Sequence, residues 1–442
     1  MKGETKKMAR LLTQKDVYAI INAMVEDLSG QTSSMRAVDT STFISCGELI
    51  MSYDKENVLN SLGLLIGRIL IASRPYSGKF DLINAISTGL YSHRIEKISY
   101  YSTKALPSGA FNTDLYTNFA DGFTAGENLD SNGDPQSTKS QWEQNPIYPL
   151  TLFFGGSSTW QTCLTLYRVQ LQQAFRSPDE FNEFVSGMLT QKQNDIELEK
   201  QAFRQAIALN HIAGVYDLNA GGDMPGSVVN LTEAFNVRYY GSDTTQYKTS
   251  EQLRSTYLKE FLGFMVATMK TYIKKLENAS VNYHWTPEKV VGGNSLALLR
   301  HTPRSKQKFF MYEPLWTEAE AMVLPEIFND NLLSIDNYEG VEYWQNENDP
   351  SAIEVFPAIP DTDSSSATFG TQIKGDKVEL EYVVGMLFDE DACMVDFQLD
   401  DVATTEEEKR KKFINQWYTF AKNGINDFTE KAILFIMKDP TP

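Results

Sequence analysis

The feature that most constrains this chain is a run of helical periodicity that begins beside Pro178 and continues across residues 177–215. Phe181, Phe184, Val185, Met188, Leu189, Ile196, Phe203, Ala206 and Ile207 recur at helical steps, and charged residues fill the opposite side. Unbroken, such a helix would be roughly 55 Å long at 1.5 Å per residue. That exceeds the width of a small domain, so the helix must serve as a spine along which other elements pack. Phe184, Met188, Ile196, Phe203 and Ile207 are the candidate core stripe of this spine.

The rest of the chain alternates. Near the amino terminus, Val17, Ile20, Ile21, Met24, Val25 and Leu28 share one helical face, and Ser29-Gly30 ends it. Residues 56–72 are apolar on most faces until SRPYSGKFD breaks the pattern. Residues 92–150 change character: Gly, Asn, Ser, Pro and Tyr dominate, with short strand-like pieces such as IEKISYYS. So long a stretch without periodicity is uncommon inside a compact domain. It reads as a projecting arm whose partner lies elsewhere, with Phe119, Trp142 and Tyr148 as candidate inter-subunit contacts.

Beyond the spine, NAGGDMPGS marks a loop before the strand-like VVNLTEAFNVRYYG. Residues 250–277 predict a second long helix, with Leu253, Tyr257, Phe261, Phe264, Met265, Tyr272 and Leu276 on one face. Strand KFFMYEP, helix TEAEAMVLPEIF, a polar stretch over 345–375 containing DTDSSSATFG, and strand VELEYVVGMLF follow. Thr405 and Glu408 have capping-box spacing, and Glu406 with Arg410, Glu407 with Lys411 and Glu408 with Lys412 stand four apart. These cues predict a helix closed by Asn423-Gly424, after which AILFIM predicts a strand covered on both sides.

The chemistry expected of the chain is sparse. Lys and Arg total 40 against 58 Asp and Glu, a net charge of −18, which excludes a general nucleic-acid binder needing a basic face. The 42% of apolar residues, with 25 Phe and 21 Tyr, excludes intrinsic disorder. Cys46, Cys163 and Cys393 lie far apart and read as reduced thiols. The amino terminus has no apolar signal core, and the apolar run GLLIGRILIA is interrupted by Arg68 and is about half of what a bilayer needs, so a soluble protein is expected. Its basic residues Lys2, Lys6, Lys7, Arg10 and Lys15 read as a solvated tail or as a tether to an acidic neighbour.

His93, His211, His284 and His301 show no metal-ligand spacing, and His211 is expected to pack on the spine. There is no phosphate-cradling glycine loop, and residues 155–158 read as a turn before a strand rather than a nucleophile elbow. Asp130, Asn132 and Asp134 alternate as in a calcium loop, but Pro135 and Gln141 stand where glycine and a bidentate glutamate are needed. Asp389-Glu390-Asp391 and Asp400-Asp401 read as solvated faces, although paired carboxylates of a carbohydrate-active enzyme are the alternative. No catalytic, cofactor or metal site is expected.

The order of arm, strand-rich excursion, spine and mixed α/β return resembles the major capsid proteins of tailed bacteriophages. The stretches SSTWQTCLTLYRVQLQQAFRSPDEFNEFVSGMLTQKQNDIELEKQAF, GMLFDEDACMVDF and NQWYTFAKNGINDFTEKAILFIM are similar to stretches of the phi29-type podovirus group. The resemblance implies an α+β chain with the Hong Kong 97-type fold. Its parts would be an amino-terminal arm over 1–75, an extended loop over 76–150, a peripheral domain with the spine helix over 151–248, and an axial domain with returning peripheral strands over 249–442. It also implies a structural, non-catalytic protein that self-assembles through hexamers and pentamers into the icosahedral shell around double-stranded DNA. Scaffolding, portal and head-fibre or decoration proteins would be its partners, DNA would be enclosed without specific binding, and assembly would occur in the bacterial cytoplasm away from membranes. The chain departs from that group in lacking an added carboxyl-terminal immunoglobulin-like domain and in its segment 345–375. The alternative is another virion component, a portal or minor head protein.

Overall fold

The computed structural model describes residues 14–29, 35–52, 80–86, 94–101, 147–155, 158–291, 294–322, 338–406 and 408–439. The first elements in chain order are α1 (Gln14–Ser29), α2 (Thr40–Ser52), β1 (Asn84–Ile86), β2 (Arg94–Tyr100), β3 (Pro149–Gly155) and β4 (Ser158–Tyr167). Next come α3 (Arg168–Ala174), α4 (Pro178–Gly221), β5 (Val228–Asn230), α5 (Leu231–Tyr240), α6 (Ser250–Ser255) and α7 (Leu258–Leu276). Then follow β6 (Lys289–Val291), β7 (Asn294–Leu296), β8 (Gln307–Tyr312), α8 (Glu313–Met322), β9 (Tyr338–Val341), β10 (Ile353–Val355), β11 (Ala358–Pro360) and β12 (Gln372–Lys374). The last are β13 (Val378–Leu380), β14 (Val383–Asp389), β15 (Cys393–Thr404), β16 (Phe413–Asn426) and β17 (Ala432–Ile436). The chain divides into two units, one of residues 1–93, 155–206 and 395–424, the other of 94–154, 207–394 and 425–442.

In the first unit, α1, α2, α3 and the start of α4 share a core with β4 and β16. Val17, Ile21, Met24, Phe43, Phe181 and Tyr418 are among its buried members. The helical face read from the amino-terminal periodicity is the buried one. Asp39 caps α2 by accepting from the Thr42 amide at 2.8 Å, and these hydrogen bonds hold its carboxyl below the usual range. Asn22 ties α1 to the approach of α2, donating to the Ala37 carbonyl at 3.2 Å and accepting from the Ala37 amide at 2.7 Å. Phe43 meets Phe181 edge-on at 5.9 Å, and Phe175 stacks on Phe181 at 5.4 Å.

The sheet of this unit, in the order β1-β15-β16-β4, corrects the expected carboxyl-terminal helix. Residues 413–426 form a 14-residue strand, antiparallel to β4 from Phe413 opposite Tyr167 to Lys422 opposite Ser158. Asn423-Gly424 therefore lies inside a strand and ends no helix. The charged stretch before it is a connection closed by an antiparallel bridge between Glu408 and Phe413, in which the Glu408 carboxylate accepts from the Lys411 amide. Ile414, Gln416, Tyr418 and Phe420 are buried at every second position, a period of two that the helical cues upstream concealed.

The second unit is built on a five-stranded sheet in the order β5-β17-β14-β8-β9. β14 runs antiparallel to both β17 and β8, whereas β17 pairs parallel with β5 and β8 with β9. Every residue of β14 and β17 is buried, which is why VVGMLF of β14 and AILFI of β17 read as runs without a polar face. Gly385 of β14 is required by close approach, because a Cβ there would stand 2.5 Å from the Phe310 carbonyl oxygen.

Other expectations are refined. The strand expected over VVNLTEAFNVRYYG is only β5, and the chain then turns into α5, where Leu231, Thr232, Phe235 and Asn236 form a buried helical face. The helix over 250–277 is broken at Thr256-Tyr257: α6 carries a capping box of Thr249 and Gln252, and α7 restarts at Leu258. The strand before TEAEAM stops at Tyr312, and Pro314 falls in the first turn of α8, where its missing amide costs nothing. The polar stretch 345–375 is not all loop, since β10 pairs with β13 and β11 with β12. Asp389 is buried rather than solvated, and burial raises its carboxyl.

The spine is longer than the periodicity indicated. α4 spans 44 residues, about 66 Å, and its later part is buried nearly all round, with Ala208, Leu209, His211, Ile212, Ala213 and Val215 inaccessible or almost so.

Candidate functional site

The described residues contain no group of three or more His, Cys, Asp or Glu side chains able to hold a metal ion. No described helix is long and apolar enough to cross a membrane. Cys46, Cys163 and Cys393 are unpaired. Among the described residues, the most concentrated chemistry is a clamp of four charges, Lys97, Arg300, Asp427 and Glu430, in the second unit at the foot of the ribbon formed by β2 and β3.

The site starts with the turn between β16 and β17, residues 427–431. Phe428 enters a notch on α4 left by Gly214, where a Cβ would come within 2.4 Å of the ring. The same ring stacks on His211 at 4.8 Å and 9°. His211 is wholly buried, neither ring nitrogen has a hydrogen-bond partner among the described residues, and burial lowers it to about 4 despite the nearby Asp427 charge. Sequence reasoning expected this histidine to pack, and it does so as a neutral ring. Asp427 folds the turn on itself, accepting from the Thr429 amide at 2.8 Å and the Thr429 hydroxyl at 2.7 Å.

The turn then receives the ribbon. Alternation along β2 sends Lys97 and Ser99 inward, and Tyr101 follows in the same phase just past its end. The Lys97 ammonium donates to Asp427 Oδ2 at 2.5 Å and to Glu430 Oε1 at 2.7 Å. Arg300 donates through Nη2 to Ser99 Oγ at 2.6 Å and through Nε to the Thr429 carbonyl at 3.1 Å, with Glu430 3.4 Å away. The Tyr101 hydroxyl donates to the Pro287 carbonyl at 3.0 Å, and the Tyr101 amide to the Tyr148 carbonyl at 3.0 Å. Lys431 lies alongside, fully buried, giving its ammonium to the Asn278 carbonyl at 2.6 Å and Ser280 Oγ at 3.0 Å, and burial lowers it to about 8.

The four clamp charges sum to zero but are not equally content. Burial alone would lower Lys97, yet Asp427 and Glu430 outweigh it and hold the ammonium above the ordinary lysine range. Glu430 moves against its own charge: burial raises its carboxyl, Asp427 adds to the rise, and Lys97 and Arg300 offset only part of it. A docking face made of paired charges is orientation-specific, because a small displacement leaves a desolvated charge without its partner. The opposite face of the ribbon is different. Ile98, Tyr100 and Ile147 are 53%, 61% and 72% exposed, a patch of the kind that marks protein contacts.

Of the residues singled out from the sequence, Phe119 and Trp142 lie outside the described residues, as do the apolar run 56–72, the basic residues Lys2, Lys6, Lys7 and Arg10, and the Asp130, Asn132, Asp134 triplet, whereas Lys15 of the expected tail falls in the first turn of α1. Tyr148 is half-buried at the foot of the ribbon. Ile196 is buried in the first unit's core, with Phe184 and Met188 packed against it. Phe203 is half-buried, edge-on to Phe397 at 5.6 Å with the Lys422 ammonium 5.1 Å over its ring, and Ile207 is also half-buried. Sequence reasoning missed Lys97, Arg300, Asp427 and Glu430. The only local trace is the polar NDFTEK wedged between two apolar strands.

Residues 123–436 match the model of a family described as Phi29-like phage major capsid protein. No curated protein matches the chain. Among solved structures, a chain of the capsid structure of Staphylococcus phage Andhra is 11% identical, with a TM-score of 0.47, over 82% of this chain and 84% of that one. A chain in the structure of the head fiber and inner core protein gp22 of native bacteriophage P68 is 11% identical, with a TM-score of 0.49, over 82% and 85%.

Proposed function

The chain belongs to the Phi29-like phage major capsid protein family, a structural protein of the phage capsid, and from that premise we propose how it builds a shell. Copies associate as hexamers and pentamers of a closed icosahedral particle, with each β2–β3 ribbon laid against a neighbouring copy. The observation that carries this reading is the two-faced ribbon: one face held by Lys97, Ser99 and Tyr101, the other presenting Ile98, Tyr100 and Ile147 to solvent. Phe119, Trp142 and Tyr148 belong to the same contact region. The fold is of the Hong Kong 97 type, with residues 1–75 as the arm, 76–150 as the extended loop, and the remainder as peripheral and axial domains. The α4 stripe of Phe184, Met188, Ile196, Phe203 and Ile207 serves subunit stability.

The protein does no catalysis. Its net charge of −18 disfavours binding of the DNA it encloses, and scaffolding, portal and head-fibre or decoration proteins join it in the host cytoplasm. Negative-stain microscopy of the purified full chain, alone and after co-expression with the phage head proteins, tests the reading. Closed shells are expected. Closed rings of about a dozen subunits would instead assign it to a portal.

A further inference from the structure

Among the described residues, β2 pairs with β3 alone and neither strand joins the five-stranded sheet. A two-stranded ribbon is marginal in water by itself, so its order depends on what its inward face touches. Along β2 that face meets the 427–431 turn. Lys97 donates to Asp427 and Glu430, and Ser99 accepts from Arg300, which also holds the Thr429 carbonyl.

The turn is seated by Phe428. Its ring fills the notch at Gly214 and lies flat on His211, while its carbonyl accepts from the Trp285 amide at 2.7 Å. Asp427 and Thr429 flank Phe428 in the chain, so the ring cannot leave the notch without moving groups that hold Lys97 and Arg300.

The seat depends on His211 being uncharged. A proton would give the ring two N–H donors with no acceptor among the described residues. The charge that acts on it is Asp427, which Lys97 and Thr429 already engage. Drawing Asp427 toward His211 would therefore take it from Lys97. The groups around the turn also bear on the response. His284, next to Trp285, is kept neutral by burial and by the charges of Lys431 and Arg300. Burial and the Asp427 charge keep the Cys393 thiol of β15 protonated. Glu430 works the other way: burial raises its carboxyl, so the proton it takes favours the closed turn and blunts the response at its acid end.

We propose that the 427–431 turn is an acid-sensitive latch on the ribbon: when His211 takes a proton, Phe428 leaves its notch, Asp427 and Glu430 release Lys97, and β2 loosens while the five-stranded sheet stays folded. The latch belongs to the single subunit and holds whether or not copies form a shell. An opening that brings water to His211 returns it from about 4 to its ordinary 6.5, so openings should be about thirtyfold more frequent at about pH 5 than at about pH 7.5.

Native-state hydrogen exchange of the full chain tests it, expressed as protection relative to the free-peptide rate at each pH and repeated in low urea. Residues 94–101 should lose about thirtyfold in protection over that pH range, with little dependence on urea because a local opening exposes little surface. β14 should stay better protected and depend strongly on urea. His211→Phe keeps a ring against Phe428 and removes the proton site, so its loss over 94–101 should be at least about tenfold smaller. His211→Leu takes its place should that variant not fold. A loss in the folded variant equal to that of the wild type overturns the latch. So does exchange at 94–101 that matches β14 in rate and urea dependence, since the ribbon would then open only with the whole unit.

Discussion

Replacing Lys97 by methionine keeps the length of the side chain and removes its charge. Among the described residues, Asp427 is then left with the Thr429 donors, and Glu430 with Arg300 at 3.4 Å. Breaking a buried ion pair from one side costs about 3–5 kcal/mol because the remaining charge stays desolvated. The Lys97 side chain is 21% exposed while Asp427 is 1% exposed, so water recovers part of the loss and about 2–3 kcal/mol is expected. At roughly 2–4 °C per kcal/mol, the melting temperature should fall by about 4–12 °C. Hydrogen exchange should rise along 94–101, where the ribbon is held, and less at β14, the centre of the sheet. Lys97→Arg, which keeps the charge, should stay within about 1 kcal/mol of wild type. Glu430→Gln should cost less than Lys97→Met, because burial already holds Glu430 above the usual carboxylate range and its ionised form is only partly compensated. A Lys97→Met protein that melts within about 1 °C of wild type, with unchanged exchange at Ser99 and Tyr101, would refute the clamp.

Three further outcomes follow from named contacts. His211 takes a proton near 6.5 when unfolded but only at about 4 when folded, so stability is intact above 6.5 and falls as pH drops between those values, by up to about 3 kcal/mol. His211→Phe should flatten that part of a stability-versus-pH series without loss at neutral pH, leaving the share of His284, also lowered to about 4; an unchanged slope would count against it. Gly214→Ala gains about 1 kcal/mol of helix propensity but puts a Cβ within 2.4 Å of Phe428, so chemical denaturation should show a net loss of about 1–2 kcal/mol, and a gain would mean that Phe428 is not seated there. Truncation before Ala432 removes β17 from between β5 and β14, so aggregated protein is expected in size-exclusion chromatography, and a soluble monodisperse product would show β17 to be dispensable.

Local pattern determined what depends on local pattern. The spine was legible because its apolar spacing persists over many turns, and α1 because its stripe is the buried face. VVGMLF and AILFI were legible as strands because a strand covered on both sides has no polar face to show. Where two periods competed, tertiary structure chose. Thr405 to Lys412 carry good helix-start chemistry, yet residues 413–426 pair with β4 over ten register positions, and those ladder bonds outweigh a cap and a few surface charge pairs worth about 0.2–0.5 kcal/mol each. The clamp was beyond any sequence window: Lys97 meets Asp427 across 330 residues, and nothing near either residue names the other. Its geometry exists only because Phe428 seats the turn on Gly214 and His211, and because the pleat of β2 turns Lys97 and Ser99 toward that turn. An isolated lysine and an isolated aspartate are ordinary surface residues; packing removes the water between them and makes their pairing obligatory.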